Sequence, residues 1–272
     1  MSVYKKPLTI DEQIEYLKSN KRVVFNDISE EEAKKILYEN KYINVITPYK
    51  YRFAKKDYKE REIRDKNGAH IYERDVDFKE YYDLYLKERA QFPIIYKNII
   101  EFEKLMNAIV SYEVLLSYNL INYDNFINFI ESLKGNVLSS QFTQTTKDHM
   151  LKTLNALKDD ISDYNSPYIT LDRMSMNASL IILSNLELPL KQKCIDEINN
   201  RQNIIKANDP QSFYDGVAKL IKIRNCVCHN DSIEILLRYL SVKYKRLRTS
   251  SDKKSYAYLL IRLRQTTKKD SN

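Results

Sequence analysis

Three polar side chains that could act on a phosphate ester fall within six residues of this chain. Arg224, Asn225 and His229 belong to residues 223–230, which read Ile-Arg-Asn-Cys-Val-Cys-His-Asn, and His229 is one of only three histidines. Arginine can bind two phosphoryl oxygens, an amide can orient a neighbouring group, and histidine can exchange a proton near neutral pH. Together these residue types suit the binding or cleavage of a phosphodiester.

The surrounding pattern predicts a helix from Asp209, with Pro210 in its first turn. Arg224 would fall among apolar residues on one side of that helix, and a guanidinium there requires an anion or a carboxylate. The residues of this apolar stripe are Phe213, Val217, Leu220 and Val227. Glu103, on a predicted helix of its own, could pair with Arg224 or be an exposed surface carboxylate.

Two helical relations decide whether these groups can meet. Asn225 and His229 are four residues apart, so they can hydrogen-bond. Arg224 and His229 lie about 140° apart on an ideal helix. They converge only if the helix ends near His229 or if a second copy supplies the complementary group. The capping box at residues 231–234, Asp-Ser-Ile-Glu, favours a helix end at that point.

By itself this spacing is a weak signal, since an arginine reaching solvent beside an unrelated histidine would explain it. The octet, however, resembles the Arg-polar-x-x-x-His signature of HEPN (higher eukaryotes and prokaryotes nucleotide-binding) ribonucleases. It is most similar to the Abi-like abortive infection family of the AbiD/AbiF type, which reads Arg-Asn-x-Cys-Ala-His-Asn/His. Arg224, Asn225, His229 and Asn230 match, and Val227-Cys228 stands in place of Cys-Ala.

The resemblance runs intermittently from Lys6 to about Tyr239. Residues 6–9, Lys-Pro-Leu-Thr, and residues 12–17, Glu-Gln-Ile-Glu-Tyr-Leu, are similar to the opening of that family. Residues 42–50 are similar to its Tyr-Tyr-x-(Leu/Ile)-x-Gly-Tyr block, with Pro48 in place of glycine. Residues 167–169 stand where the family carries a tryptophan and a later glycine, both of which this chain lacks.

The resemblance implies a metal-independent endoribonuclease in anti-phage defence, with Arg224, Asn225 and His229 as catalytic residues. Its products would be a 2′,3′-cyclic phosphate and a 5′-hydroxyl. Because one histidine cannot easily serve as both base and acid, a homodimer with a composite cleft is expected. The family also implies restraint by an antitoxin or a bound noncoding RNA. The competing interpretations are a non-catalytic RNA-binding protein and a protein-interaction scaffold with a structural arginine.

Composition predicts an all-α protein. Among 272 residues there are only 3 Gly and 6 Pro. The formal net charge of +8 favours an anionic partner such as RNA or a membrane surface. No signal pattern opens the chain and no run approaches about 18 apolar residues, so we expect a cytoplasmic protein without membrane insertion.

We expect a HEPN-type helical bundle in residues 77–272, with a basic C-terminal segment, after an N-terminal helical and hairpin region in residues 1–76. In the first region, Thr9 and Ser29 are predicted to cap helices, and residues 42–53 have the composition of an extended connection. Asn67-Gly68 indicates one small β-hairpin, with His70 as a solvent-facing strand residue.

In residues 77–272, Asp77 is predicted to cap a helix to about Tyr118, bent at Pro93. A shorter helix is expected to end at Gly135. His149 is predicted to be a surface residue on a later helix.

Basic residues near and beyond the octet are candidate nucleic-acid contacts, together with Asn230. A solvated basic face would explain them equally well. The cations are Lys222, Lys243, Lys245, Arg246 and Arg248.

No cofactor or metal site is expected. Cys226, Cys228 and His229 are potential zinc ligands, with Cys194 a distant fourth, but they lack paired Cys-x-x-Cys spacing. Free thiols packed as small residues are the simpler interpretation.

Overall fold

The structure is a computed structural model that describes residues 7–66, 68–237 and 251–265. The protein is all-α, as predicted, apart from one small parallel sheet. The helices of the first 120 residues are α1 (Ile10–Lys21), α2 (Glu30–Asn40), α3 (Tyr42–Val45), α4 (Lys50–Phe53), α5 (Phe78–Arg89) and α6 (Phe92–Ser117). They are followed by α7 (Tyr123–Ser139), α8 (Gln144–Tyr164), α9 (Pro167–Asp172), α10 (Met176–Asn185), α11 (Leu188–Arg201) and α12 (Pro210–Cys228). Helix α13 begins at residue 233 and is described to residue 237, and α14 is Ser251–Gln265.

Two compact units divide the described residues. The first unit contains Met1–Pro93 and Cys226–Arg248, and the second contains Ile94–Asn225 and Thr249–Asn272. These bounds differ from the sequence division at residue 76, which stays a prediction about sequence regions. The described ranges contain no helix that combines the length and apolar character needed to cross a bilayer.

Helix caps in the first unit were predicted well. Thr9 accepts from the Glu12 backbone N–H at 3.2 Å while Glu12 Oε2 accepts from the Thr9 N–H at 2.7 Å, which completes a capping box. Ser29 caps α2, and Asp77 caps α5 in a second box with Glu80. Each cap satisfies N–H groups that the first helical turn leaves without partners.

A two-stranded parallel sheet joins distant parts of the first unit. Strand β1 (Val23–Val24) pairs with β2 (Val76–Asp77), with Val23 opposite Val76. A parallel pair requires a long crossover connection, which here carries α2, α3 and α4. The core around it consists of Ile14, Leu17, Val23, Ile28, Ala33, Ile36, Leu37, Val45, Ile46, Tyr49, Val76, Phe78, Tyr81 and Tyr85.

The prediction of an extended connection over residues 42–53 was wrong, because that stretch forms the short helices α3 and α4. Val45, Ile46 and Tyr49 are buried in the first unit. Their burial at helical spacing outweighs the β propensity of the aromatic and branched residues. The expected hairpin is present as a short antiparallel pairing. Arg64 lies opposite His70, the Asp65 N–H donates to Ala69 O at 2.9 Å, and the Ile71 N–H donates to Ile63 O at 3.2 Å. Gly68 in the turn has φ +79°.

In the second unit, α10 is the central helix. Six of its residues are buried around its circumference, as expected of a helix covered on all sides. It contacts α7, α8 and α11. Helix α7 continues to Ser139, so the predicted stop at Gly135 was wrong: the buried residue Val137 lies beyond the glycine and keeps the last turn helical. The expected bend at Pro93 is a break between α5 and α6, with Pro93 in the first turn of α6, where its missing N–H costs nothing.

Candidate functional site

Helix α12 carries the Arg-Asn pair of the octet. It begins at Pro210, one residue after the predicted start, with Pro210 in its first turn as predicted. Asp209 Oδ1 accepts the Ser212 N–H at 2.9 Å. The side chains that bury the helix in the second unit are Phe213, Val217, Leu220 and Ile223, each 0% exposed. This stripe fixes the rotation of α12, so Arg224 is held at the margin of the apolar face.

Glu103 on α6 is the carboxylate that pairs with Arg224. Arg224 Nη1 donates to Glu103 Oε1 at 3.1 Å and to Oε2 at 3.2 Å. The side chains are 23% and 13% exposed, so the pair is largely shielded from water. The candidate pairing named from the sequence is confirmed, and the alternative of an exposed surface Glu103 is excluded.

Glu103 also binds the start of α10. Its Oε1 accepts the Met176 N–H at 2.6 Å. Met176 is the first residue of α10, where unpaired N–H groups and the helix dipole favour a negative charge. One carboxylate therefore connects α6, α10 and α12 within the second unit.

The Nε and Nη2 groups of Arg224 and the side chain of Asn225 are held less firmly than Nη1, which Glu103 binds. Arg224 Nε and Nη2 both lie 3.4 Å from Asn225 Oδ1, which is long for a hydrogen bond. Asn225 is exposed. Among the described residues, the Nε and Nη2 edge of the guanidinium thus meets a weakly bound amide, which a stronger acceptor could displace.

Helix α12 ends at Cys228, directly before His229, which agrees with the helix end that the sequence favoured at this point. Asn230 has φ +55°, its N–H donates to Val227 O at 3.1 Å, and the Asp231 N–H donates to Cys226 O at 2.8 Å. This pair of bonds is a Schellman ending with His229 at the C-cap. His229 is therefore the residue that directly follows the helix, and it is exposed.

The turn after His229 is held by Glu88 and Arg89 at the end of α5, here called the Glu88–Arg89 pair. Arg89 donates to Asn230 O at 2.9 Å and to Asp231 O at 3.1 Å. Its guanidinium also stacks on two aromatic rings of the first unit. Two backbone carbonyls directly after the histidine are thereby fixed to a side chain that is 13% exposed.

Glu88 fixes the start of α13 in the same unit. Its Oε1 accepts from Ser232 Oγ at 3.1 Å and from the Glu234 N–H at 3.0 Å, and its Oε2 accepts from Tyr49 Oη at 2.5 Å. Burial and this bond to Glu88 raise the pKa of Tyr49. The cap of α13 is Ser232, whose Oγ accepts the Ile235 N–H. The Glu88–Arg89 pair was not predicted from the sequence, because no local pattern signals a partner more than 140 residues away.

Asn230 has a backbone role that can be separated from its predicted contact with nucleic acid. We expect Asn230→Gly to keep the free energy of unfolding within about 0.5 kcal/mol of the native value, since glycine accepts positive φ. Asn230→Val should lose about 2 kcal/mol, because a branched side chain is strained there. Urea unfolding measures both variants. If the glycine variant is as stable as expected but binds RNA more weakly, the amide side chain contacts the RNA.

Of the five cations predicted to contact nucleic acid, one lies in the part of the chain that the structure describes. Lys222 is exposed on α12. The other four, Lys243, Lys245, Arg246 and Arg248, lie outside the described residues.

The cysteines are free thiols. Cys194 and Cys226 are buried, Cys228 is exposed, and burial raises the pKa of Cys194 and Cys226 to about 12. Cys226 Sγ lies 3.4 Å from Asp231 O, which it can reach as a donor. Within the described ranges, no group of three His, Cys, Asp or Glu side chains is arranged to hold a metal ion.

The other two histidines lie apart from the octet. His149 on α8 is exposed, as predicted, and its Nε2 lies 3.2 Å from Asn177 Nδ2. The prediction of a solvent-facing His70 was wrong: the ring is half-buried in the first unit, edge-on to Tyr51 at 5.0 Å. Burial, followed by the charges of Arg64 and Lys50, lowers the pKa of His70 to about 4.

The lowered pKa of His70 predicts a loss of stability in mild acid. Between pH 6.5 and pH 4 the unfolded chain binds a proton that the folded ring rejects, so the free energy of unfolding falls as the pH falls. For this half-buried ring we expect a loss on the order of 1 to 2 kcal/mol over that interval. Urea unfolding of the native protein and His70→Phe at pH 7 and pH 4.5 measures it. Equal pH dependence in both proteins would contradict the assignment to His70.

Comparison with known proteins gave no relative. A scan against protein-family models, a search of curated proteins and a search of solved structures each found no match to this chain. What the fold and the site define is an all-α protein in which one helix carries an arginine anchored by a carboxylate and, next to it, an exposed asparagine, with an exposed histidine directly after the helix.

Proposed function

We propose that this protein is a metal-independent endoribonuclease of the HEPN type, acting in the cytoplasm in abortive infection. The observation that carries the proposal is the state of the Arg-His octet. Arg224 is anchored by Glu103 yet 23% exposed, and Asn225 and His229 are both exposed. Side chains sealed in the interior could not reach a phosphodiester, whereas these can.

The chemistry needs only groups that the chain and RNA supply. The ribose 2′-hydroxyl attacks the adjacent phosphorus after losing its proton to a base, and the bond from phosphorus to the 5′-oxygen breaks. That oxygen takes a proton, which leaves a 2′,3′-cyclic phosphate and a 5′-hydroxyl. His229 transfers the protons, and Arg224 stabilises the negative charge that builds on the phosphoryl oxygens.

The geometry of Arg224 supports a role with phosphate. Glu103 occupies Nη1, which sets the orientation of the planar guanidinium before any ligand binds. The N–H groups of Nε and Nη2 point toward Asn225 Oδ1, and each nitrogen lies 3.4 Å from that oxygen. A phosphate can accept from both of these groups in the fork geometry that arginine favours.

Two copies of the chain supply what one lacks. A single histidine must change its role between base and acid within one turnover, whereas a two-fold dimer presents two Arg-His sets. We therefore propose a homodimer in which the sets of both copies act on one RNA. An antitoxin or a noncoding RNA that restrains the enzyme is part of the same proposal.

The alternative is a non-catalytic RNA-binding protein, and one observation favours it. Glu103 neutralises the formal charge of Arg224, which weakens the field available to a transition state. In that case Arg224 and His229 would hold RNA without cleaving it.

An assay of cleavage in chelator separates these functions. Purified protein is incubated with end-labelled single-stranded RNA in EDTA, and product ends are mapped by mass spectrometry. We expect fragments with 2′,3′-cyclic phosphate and 5′-hydroxyl ends, from a protein that behaves as a dimer in light scattering. Binding without cleavage would establish the alternative, and absence of both would exclude each of them. A monomer that still cleaves RNA would contradict the composite site.

RNA that copurifies identifies the partner. A 260 to 280 nm absorbance ratio raised above that of protein alone would report bound nucleic acid. Sequencing of that material would distinguish a single regulatory RNA from mixed target fragments.

A further inference from the structure

A cavity of about 240 Å³ lies in the first unit, and the proposed nuclease chemistry does not use it. Three cations and three tyrosines contribute to its wall, with His70 beside them. The cations are Lys21, Lys50 and Arg64, and the tyrosines are Tyr16, Tyr51 and Tyr72. No aspartate or glutamate is among the described residues that line it.

The cations of this cavity have neutral groups among their partners. Lys21 is 6% exposed, donates to Tyr72 Oη at 3.0 Å and lies over the Tyr16 and Tyr72 rings. Lys50 Nζ lies 5.0 Å from the centre of the Tyr51 ring. Arg64 donates to the Gly68 carbonyl at 2.9 Å. These hydroxyl, carbonyl and aromatic groups help to fix the positions of the three cations beside the cavity.

The pKa of His70 is shifted by the charged side chains around this cavity. Besides burial, the charges of Arg64, Lys50 and Lys21 lower the pKa of His70, and the carboxylate of Glu62 raises it. His70 Nδ1 is buried without a hydrogen-bond partner among the described residues. Cations thus outnumber carboxylates among the charges that shift the pKa of His70. The unsatisfied Nδ1 is a buried polar atom that a bound water or ion would explain.

We infer that this cavity binds a small phosphate-bearing anion, either free phosphate or the phosphate of a nucleotide. Three cations with no lining carboxylate match the charge of a phosphate, and tyrosine rings at the wall can contact a base. The volume is below the roughly 300 to 1,000 Å³ of pockets for drug-sized ligands, which limits the ligand to a small one.

Calorimetric titration with three probes distinguishes the sources. Inorganic phosphate, adenosine 5′-monophosphate and adenosine are each titrated into the full-length protein at pH 7. We expect both phosphate compounds to bind with a Kd below about 1 mM, and adenosine not to bind. Tighter binding of the nucleotide than of phosphate would assign the site to nucleotides, and equal binding would assign it to free phosphate. No heat from either phosphate compound would overturn the inference.

Substitution of the cations that line the cavity tests whether phosphate binds there. Lys50→Gln and Arg64→Gln should each weaken phosphate binding about tenfold, and the double variant should abolish it. Lys59→Gln is the matched control, since Lys59 is an exposed cation of the same unit that does not line the cavity. His229→Ala should bind as the native protein does, so failure here and failure of the nuclease proposal are distinguishable. Native-like binding by the folded double variant would refute the site, and circular dichroism verifies the fold.

Discussion

His229→Ala is expected to abolish RNA cleavage while leaving the fold intact. If the imidazole transfers protons in the reaction, its loss should lower the single-turnover rate by about 10³-fold. The side chain is exposed at the end of α12, so the melting temperature should change little. RNA affinity, measured by fluorescence anisotropy, should stay within a few fold, because the imidazole is not the main contact to phosphate.

His149→Ala is the matched control for this experiment. His149 is likewise exposed, on α8, and plays no part in the proposed reaction. It should cleave RNA at the native rate. If His229→Ala retained full cleavage, the nuclease assignment of the octet would be wrong, even if the protein bound RNA.

Glu103→Ala is expected to weaken both stability and cleavage. The substitution leaves Arg224 without its carboxylate and the Met176 N–H without its acceptor. Removing one partner of a shielded ion pair costs about 3 kcal/mol in free energy of unfolding. Cleavage should fall by about 10²-fold, because the guanidinium loses its fixed orientation.

A double-mutant cycle with Arg224→Ala isolates the pair. The combined variant should be destabilised by clearly less than the sum of the single variants, since each single variant leaves one unpaired group. Glu101→Ala is the control on the same helix: its contact with Lys97 spans 3.7 Å, and both side chains are more than half exposed. It should change stability by less than about 0.5 kcal/mol. Additivity of the Glu103 and Arg224 effects would show that their contact is energetically unimportant.

Local chemistry made much of this fold predictable from sequence. Caps at Thr9, Ser29 and Asp77 depend on residues within one helical turn, and the structure forms all three. The Glu103–Arg224 contact was predictable as a candidate because an arginine on an apolar stripe requires a carboxylate. Its choice of Glu103 depends on packing, which no spacing in the sequence encodes.

Where burial opposed local propensity, prediction failed. Residues 42–53 have strand-like composition but fold as two short helices joined by a turn at residues 46–49. Helix α7 continues through Gly135 despite a helix penalty of about 1 kcal/mol for glycine. In both places buried side chains at helical spacing decide the conformation. The Glu88–Arg89 pair lay beyond prediction for another reason: its partners are 141 to 146 residues away.

Because these partners lie so far apart in the sequence, the first unit cannot be produced intact as one short fragment of the chain. A fragment ending at residue 93 would keep the contact between Glu88 and Arg89 and the bond from Tyr49 to Glu88. It would lose the donors and acceptors between residues 230 and 234, so both shielded charges would lose part of their hydrogen-bonding partners. During synthesis, Glu88 and Arg89 lack these partners until roughly 140 further residues have been added to the chain. The turn after His229 thus gains the contacts that order it late in translation. Under the function proposed above, a nascent chain would not cleave RNA until those residues had been made.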